Sequence, residues 1–175
     1  MRLLKLITYP NEILRKNCVD VIPNKHLQDI QKLIDKMFKT MRFYEGVGLS
    51  APQIGVSFNV VVIDLQDGTT EPLSLINPKI IKFEGKTESL EECLSFPGIK
   101  CYVPRSSKIE VNFLDYNGLE KTLSQFSLVH KDYPHKVLLK YNSIESDFSN
   151  KEVEECRGLV LKKYTWEVMS LEITA

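Results

Sequence analysis

The stretch Gly46-Val47-Gly48-Leu49-Ser50-Ala51-Pro52-Gln53-Ile54-Gly55 decides how this chain is read. Two glycines flank one valine, a pair of small residues follows, and a glutamine stands just before a third glycine. Glycines so close together let a backbone approach what side chains would block, and they permit positive φ. Such a run is expected as a tight loop between a helix and a strand, here with a side-chain amide at its end. The helix before it is predicted over residues 26–45, where Leu27, Ile30, Leu33, Ile34, Met37, Phe38 and Met41 recur at helical spacing. Asn24 is expected to cap its start and Gly46 to end it. The run Val60-Val61-Val62-Ile63 after the loop is β-branched throughout and reads as a buried strand.

A second stretch, Glu91-Glu92-Cys93-Leu94-Ser95, is followed by Pro97-Gly98. Tyr9-Pro10-Asn11-Glu12-Ile13-Leu14-Arg15 opens the chain, and Tyr102-Val103-Pro104-Arg105 lies beyond the cysteine. In this order and spacing the four stretches resemble the peptide deformylase family. Its first motif is Gly-x-Gly-Leu-Ala-Ala-x-Gln and its second is Glu-Gly-Cys-Leu-Ser. Ser50 departs from the family's alanine, and Glu92 from its glycine. The resemblance covers most of residues 1–115. It implies an α+β fold of the peptide deformylase kind, with short antiparallel or mixed strands packed on one long helix and a C-terminal helix. A single domain over residues 1–175 is expected.

Further short strands are predicted at 74–76, at 80–83 and into Cys93, separated by Asn77-Pro78 and Gly85. Ile109, Val111 and Phe113 alternate with polar residues before the turn Asp115-Tyr116-Asn117-Gly118. Residues 11–17 read as a short helix. Beyond Gly118 the resemblance fades, and an insertion is expected around 119–156, with strands at 123–129 and 137–141 and a polar loop at 142–155. It resumes at Gly158-Leu159-Val160-Leu161, the expected start of the last helix. A strand is the rival there, because Met169, Leu171 and Ile173 alternate.

The chain has 175 residues, with 23 Lys and Arg against 23 Asp and Glu. That balance suggests neither a nucleic-acid nor an anionic-membrane partner. No apolar run is long enough for a membrane span, and family-like sequence begins almost at Met1, so no targeting segment is expected. Cys18, Cys93, Cys101 and Cys156 show no paired spacing, which favours reduced thiols. A cytoplasmic or organelle-matrix location follows.

The resemblance implies hydrolysis of the N-formyl group from the N-terminal methionine of nascent chains. A divalent metal, iron or zinc, is held in the family by one cysteine and two histidines, and it activates a water. Carried over residue by residue, Cys93 is the metal ligand and Glu167 handles the proton. The Gln53 amide and the backbone N–H of Leu94 bind the oxyanion. Gly46, Val47, Gly48 and Leu49 form the substrate groove, whose partner is an N-terminal peptide. The family's Gln-His-Glu-x-x-His falls on Thr165-Trp166-Glu167-Val168-Met169-Ser170, so Trp166 and Ser170 stand where the histidines belong. Neither supplies a good metal ligand. His130, His135 and Glu92 are alternative donors, and His26 reads as solvent-facing. The metal is therefore either held through substitute ligands or absent. The alternative is a catalytically silent protein that binds formylated or free peptide N-termini; a thiol enzyme using Cys93 is a third reading.

Overall fold

A computed structural model describes residues 3–126 apart from Thr69. After a 3-10 turn at Glu12–Arg15 comes helix α1, Pro23–Phe43, and then seven strands. These are β1 Gly48–Ser50, β2 Val60–Ile63, β3 Leu73–Glu84, β4 Thr87–Cys93, β5 Phe96–Arg105, β6 Lys108–Leu114 and β7 Glu120–Phe126. Five strands form one sheet in the order β1-β2-β3-β6-β7, and β4 and β5 form a separate two-stranded sheet. Every pairing between these strands is antiparallel.

Helix α1 buries Ile30, Ile34, Met37 and Met41, the face predicted from their spacing, against β1 and β2. Each such side chain contributes about 1.5–3 kcal/mol when fully buried. Both ends differ from expectation. Ile22 occupies the N-cap with Pro23 at the first helical position, so Asn24 lies inside the helix and not at its cap. At the other end Glu45, not Gly46, takes the left-handed conformation, at φ 55°. The Gly46 N–H reaches the Met41 carbonyl at 2.9 Å and the Glu45 N–H reaches the Arg42 carbonyl at 3.0 Å. These two bonds close the helix with a Schellman motif.

All four residues of β2 are buried, as its unbroken β-branched run implies. The two strands expected on either side of Asn77-Pro78 are one continuous strand, β3. Its first part pairs with β2 and its later part with β6, and the register shifts between Ile76 and Lys79. Asn77 adopts φ 51° inside that irregularity, where a proline without an N–H is tolerated. Its side chain accepts from the Val21 N–H at 2.7 Å and donates to the Val21 carbonyl at 2.8 Å. A turn signal in the sequence is thus a bulge that docks the segment leading into α1.

Strand β6 buries Ile109, Val111 and Phe113, the alternation read from sequence. The turn after it is held by the Asp115 carboxylate, which accepts from the N–H groups of Asn117 and Leu119. Gly118 there takes φ 75°. The first residues of the region read as an insertion form β7, paired with β6. The strand expected at 137–141, the loop at 142–155, and the helix or strand after Gly158 lie outside the described residues. So do His130, His135, Cys156, Trp166, Glu167 and Ser170.

Candidate functional site

The stretch Gly46 to Gly55 is more ordered than a loop. It contains β1 and then a 3-10 turn, Ala51–Ile54, which ends on Gly55 at φ 82°. Neither Gly46 nor Gly48 is among the residues of positive φ, so only the last glycine of the run needs the left-handed region. A Cβ at Gly48 would lie 3.7 Å from the Val62 carbonyl, an ordinary contact. The fold itself therefore leaves room for a side chain at Gly48, and what glycine keeps bare is the strand. Because β1 ends the sheet order, its other edge faces no strand among the described residues.

The start of the stretch is fastened from the end of β2. The Asp64 N–H donates to the Val47 carbonyl at 2.9 Å, and the Gln66 side-chain amide donates to the Gly46 carbonyl at 2.9 Å. The buried Asp64 carboxylate also receives Arg42 from the last turn of α1, at 2.7 Å from its Nε. Helix end, glycine run and sheet are thereby tied together. Leu49 is fully buried in the core, so it offers a ligand only its backbone.

Gln53 sits in the 3-10 turn and is 1% exposed. Its Oε1 accepts from the Ser50 backbone N–H at 2.9 Å and from the Ser50 hydroxyl at 3.2 Å. Its Nε2 lies 3.3 Å from the Ser95 Oγ and 3.6 Å from the Cys93 Sγ. Ser95 Oγ in turn donates to the Ile7 carbonyl at 2.8 Å. The first two motifs, forty residues apart, are therefore in direct contact through one amide.

Cys93 ends β4 and is half-buried, packed against both the main core beneath α1 and a smaller buried cluster of Leu14, Phe96, Ile99 and Val103. Burial pushes its thiol up to about 12, against the opposing pull of the Ser95 and Phe96 backbone N–H groups. Glu91 and Cys101 add to the upward push. Leu94 and Ser95, in the turn after it, are buried. Behind the cysteine, the Arg105 guanidinium grips Glu91, Nε to Oε1 at 2.7 Å and Nη2 to Oε2 at 2.5 Å. Burial raises the Glu91 carboxyl above its ordinary range, more than the Arg105 hydrogen bond lowers it. Glu92, considered above as a substitute ligand, is ion-paired with Lys100 opposite it on β5. His26 is half-buried near the start of α1, more covered than the solvent-facing position expected.

The metal that the resemblance implies needs three protein donors and an open position for water. The Ser95 and Phe96 backbone N–H groups and the Gln53 amide point donors at the Cys93 sulfur, but burial outweighs them, so without a bound cation this sulfur is held as a thiol. Among the described residues no group of three His, Cys, Asp or Glu side chains is placed to hold an ion. Cys93 is thus the one expected ligand that these residues supply. Two features escaped the sequence reading. The Ser50–Gln53–Ser95 bonds were invisible because both serines stood only as motif letters. The Glu91–Arg105 pair joins the second motif to the end of Tyr102-Val103-Pro104-Arg105, and a charge at each end of that span was its only sequence signal.

Comparisons with known proteins give one consistent family for the chain. A family model described as polypeptide deformylase matches residues 3–128. A peptide deformylase of Symbiobacterium thermophilum is 39% identical over 137 residues, 78% of this chain and 62% of that protein. One from Aquifex aeolicus is 45% identical over 131 residues, 71% of this chain and 75% of the relative. The chain thus spans less than two thirds of the Symbiobacterium protein. Among solved structures, the peptide deformylase of Legionella pneumophila matches with a TM-score of 0.66 at 34% identity, covering 90% of this chain and 92% of that one. The peptide deformylase of Ehrlichia chaffeensis in complex with actinonin gives a TM-score of 0.69 at 29% identity, covering 90% and 98%. With the family model covering most of its length, the chain belongs to the polypeptide deformylase family.

Proposed function

We propose that this protein acts on the N-formyl group of nascent-chain N-terminal methionine, hydrolysing its amide bond. The observation that carries this is the buried Gln53 amide, its N–H end 3.6 Å from the Cys93 sulfur, following β1, whose outer edge pairs with no strand among the described residues. A peptide's first residues add to that edge along Gly46, Val47, Gly48 and Leu49, where main-chain hydrogen bonds give affinity. Gln53 and the Leu94 N–H donate to the formyl oxygen as it gains charge, and loss of one such donor costs about a hundredfold or more. Glu167 carries the proton to the leaving amine. A divalent metal, iron or zinc, when bound would supply the nucleophilic water, and Cys93 would hold it. A nascent chain as substrate places the protein in the cytoplasm or an organelle matrix; among the described residues no helix is long and apolar enough to cross a membrane.

A second reading, a protein that binds peptide N-termini without turnover, is favoured by Trp166 and Ser170 at the histidine positions. One experiment separates the two. Metal content of the purified chain is measured beside a Cys93→Ala control, and formyl-Met peptide turnover is assayed with added iron, nickel or zinc. The hydrolase reading expects about one metal per chain, lost in the control, together with turnover. No turnover with any of the three metals, alongside saturable peptide binding, would replace it with the binding reading.

A further inference from the structure

Hydrogen-bond chemistry allows the Gln53 amide one orientation. A backbone N–H only donates, so the amide end facing the Ser50 N–H at 2.9 Å is the oxygen. The same oxygen must then accept from the Ser50 hydroxyl. The NH2 end is left facing Ser95 Oγ and Cys93 Sγ. Ser95 Oγ accepts from Gln53, and its own proton goes to the Ile7 carbonyl, which accepts only. The Ile7 N–H returns to the Gln53 backbone carbonyl at 2.8 Å, and the Tyr9 N–H to the Ser95 carbonyl at 2.9 Å. Every donor meets an acceptor, and reversing the amide would set two donors against each other at Ser50.

We propose that Ser50 and Ser95 are positioning residues that lock the Gln53 amide with its N–H end toward the Cys93 sulfur. Of the two Nε2 protons, one faces Ser95 Oγ at 3.3 Å. The other faces the Cys93 sulfur at 3.6 Å, the weaker acceptor, and is the one an incoming carbonyl oxygen can take. Ser50, the departure from the family's alanine, adds a second donor to Oε1 that alanine would lack. The N-terminal segment belongs to the clamp, because Ile7 receives its last proton. Buried donors and acceptors left unmade are costly, so a closed set of this kind holds one geometry. The kinetic arm of the test rests on the hydrolase reading; the spectroscopic arm does not.

The test uses the full 15N-labelled chain, with the two Gln53 side-chain amide signals assigned by their loss in Gln53→Glu. In the unaltered protein both signals should lie away from the free-amide positions and exchange slowly with solvent. Ser50→Ala and Ser95→Ala should each move them, Ser50→Thr should restore them, and Cys93→Ala should shift mainly one proton. In deformylation, Ser95→Ala should lower kcat roughly tenfold or more with KM little changed, whereas Ser50→Ala, which keeps the backbone donor to Oε1, should lower it less, and Ser50→Thr should recover that smaller loss. Amide signals unmoved by both alanine substitutions would overturn the clamp. Signals that move while kcat stays unchanged would overturn the positioning role. An unaltered protein with no turnover would defeat the hydrolase reading alone, and the amide signals would still decide the lock.

Discussion

Truncating Glu91 should unfold this protein far more readily than losing an ordinary ion pair would. Glu91 and Arg105 are 7% and 4% exposed, and two short bonds join them fork to fork. Because burial raises the Glu91 carboxyl despite that grip, desolvation outweighs what Arg105 returns. Glu91→Ala leaves a guanidinium buried with its main carboxylate removed, which costs about 3–5 kcal/mol. For a chain of this size, about 2–4 °C per kcal/mol makes that a fall in Tm of about 6–20 °C. The same imbalance predicts the opposite for replacing both partners. Glu91→Leu with Arg105→Met removes the desolvation penalty and the attraction together, and such exchanges are often neutral or stabilising by about 1–4 kcal/mol. Urea unfolding of the unaltered chain, both single variants and the double variant at neutral pH gives the full cycle. A Glu91→Ala loss below about 1 kcal/mol, against the expectation for a buried pair, would refute the reasoning. A double variant no more stable than the worse single one would refute it equally.

Gly55→Ala should cost about 1–2 kcal/mol because of its left-handed φ, whereas Gly48→Ala should cost far less; equal losses in urea midpoint would contradict this. Asn77→Ala, which strips both bonds from Val21 and puts alanine at φ 51°, should cost about 2–3 kcal/mol. Asn77→Gly should cost less by keeping the conformation, and a negligible loss for the alanine variant would remove the docking role of the bulge. In the metal-free chain the Cys93 thiol, lifted to about 12, stays protonated in the fold far above neutral pH. Its labelling by iodoacetamide should therefore be slow at pH 7 and rise roughly tenfold per pH unit toward 10, following the thiolate fraction. Fast neutral labelling would revive a thiol nucleophile.

The sequence carried the fold wherever one signal was repeated. Helix α1 announced itself through seven apolar residues on one face, and β2 and β6 through an unbroken and an alternating pattern. Single residues misled. Asn77-Pro78 has the chemistry of a turn, yet in β3 the asparagine spends its side chain on Val21 and the strand continues past the proline. Gly46 looked like the helix stop, but Glu45 took the left-handed position, because the carbonyls of Met41 and Arg42 need N–H donors there whatever side chain is present. Such choices depend on which tertiary partner is at hand, and local propensity does not contain that.

The candidate site was legible in its parts and not in its wiring. Gln53 and Cys93 could be named from their motifs, but nothing linear says that their side chains meet, since that contact is made by folding β4 back beside the 3-10 turn. The serines are harder still. Each is a small polar residue in a buried place, and burial converts an optional hydrogen bond into an obligatory one. At Ser50 the obligation falls on the Gln53 oxygen, and at Ser95 it passes through the hydroxyl to Ile7. The amide between them is left with one arrangement that satisfies both ends. A motif read as separate letters is, in three dimensions, a single directed set of hydrogen bonds, so Ser50, Gln53 and Ser95 should fail non-additively. Removing the second serine after the first should cost the Gln53 geometry much less than removing either alone.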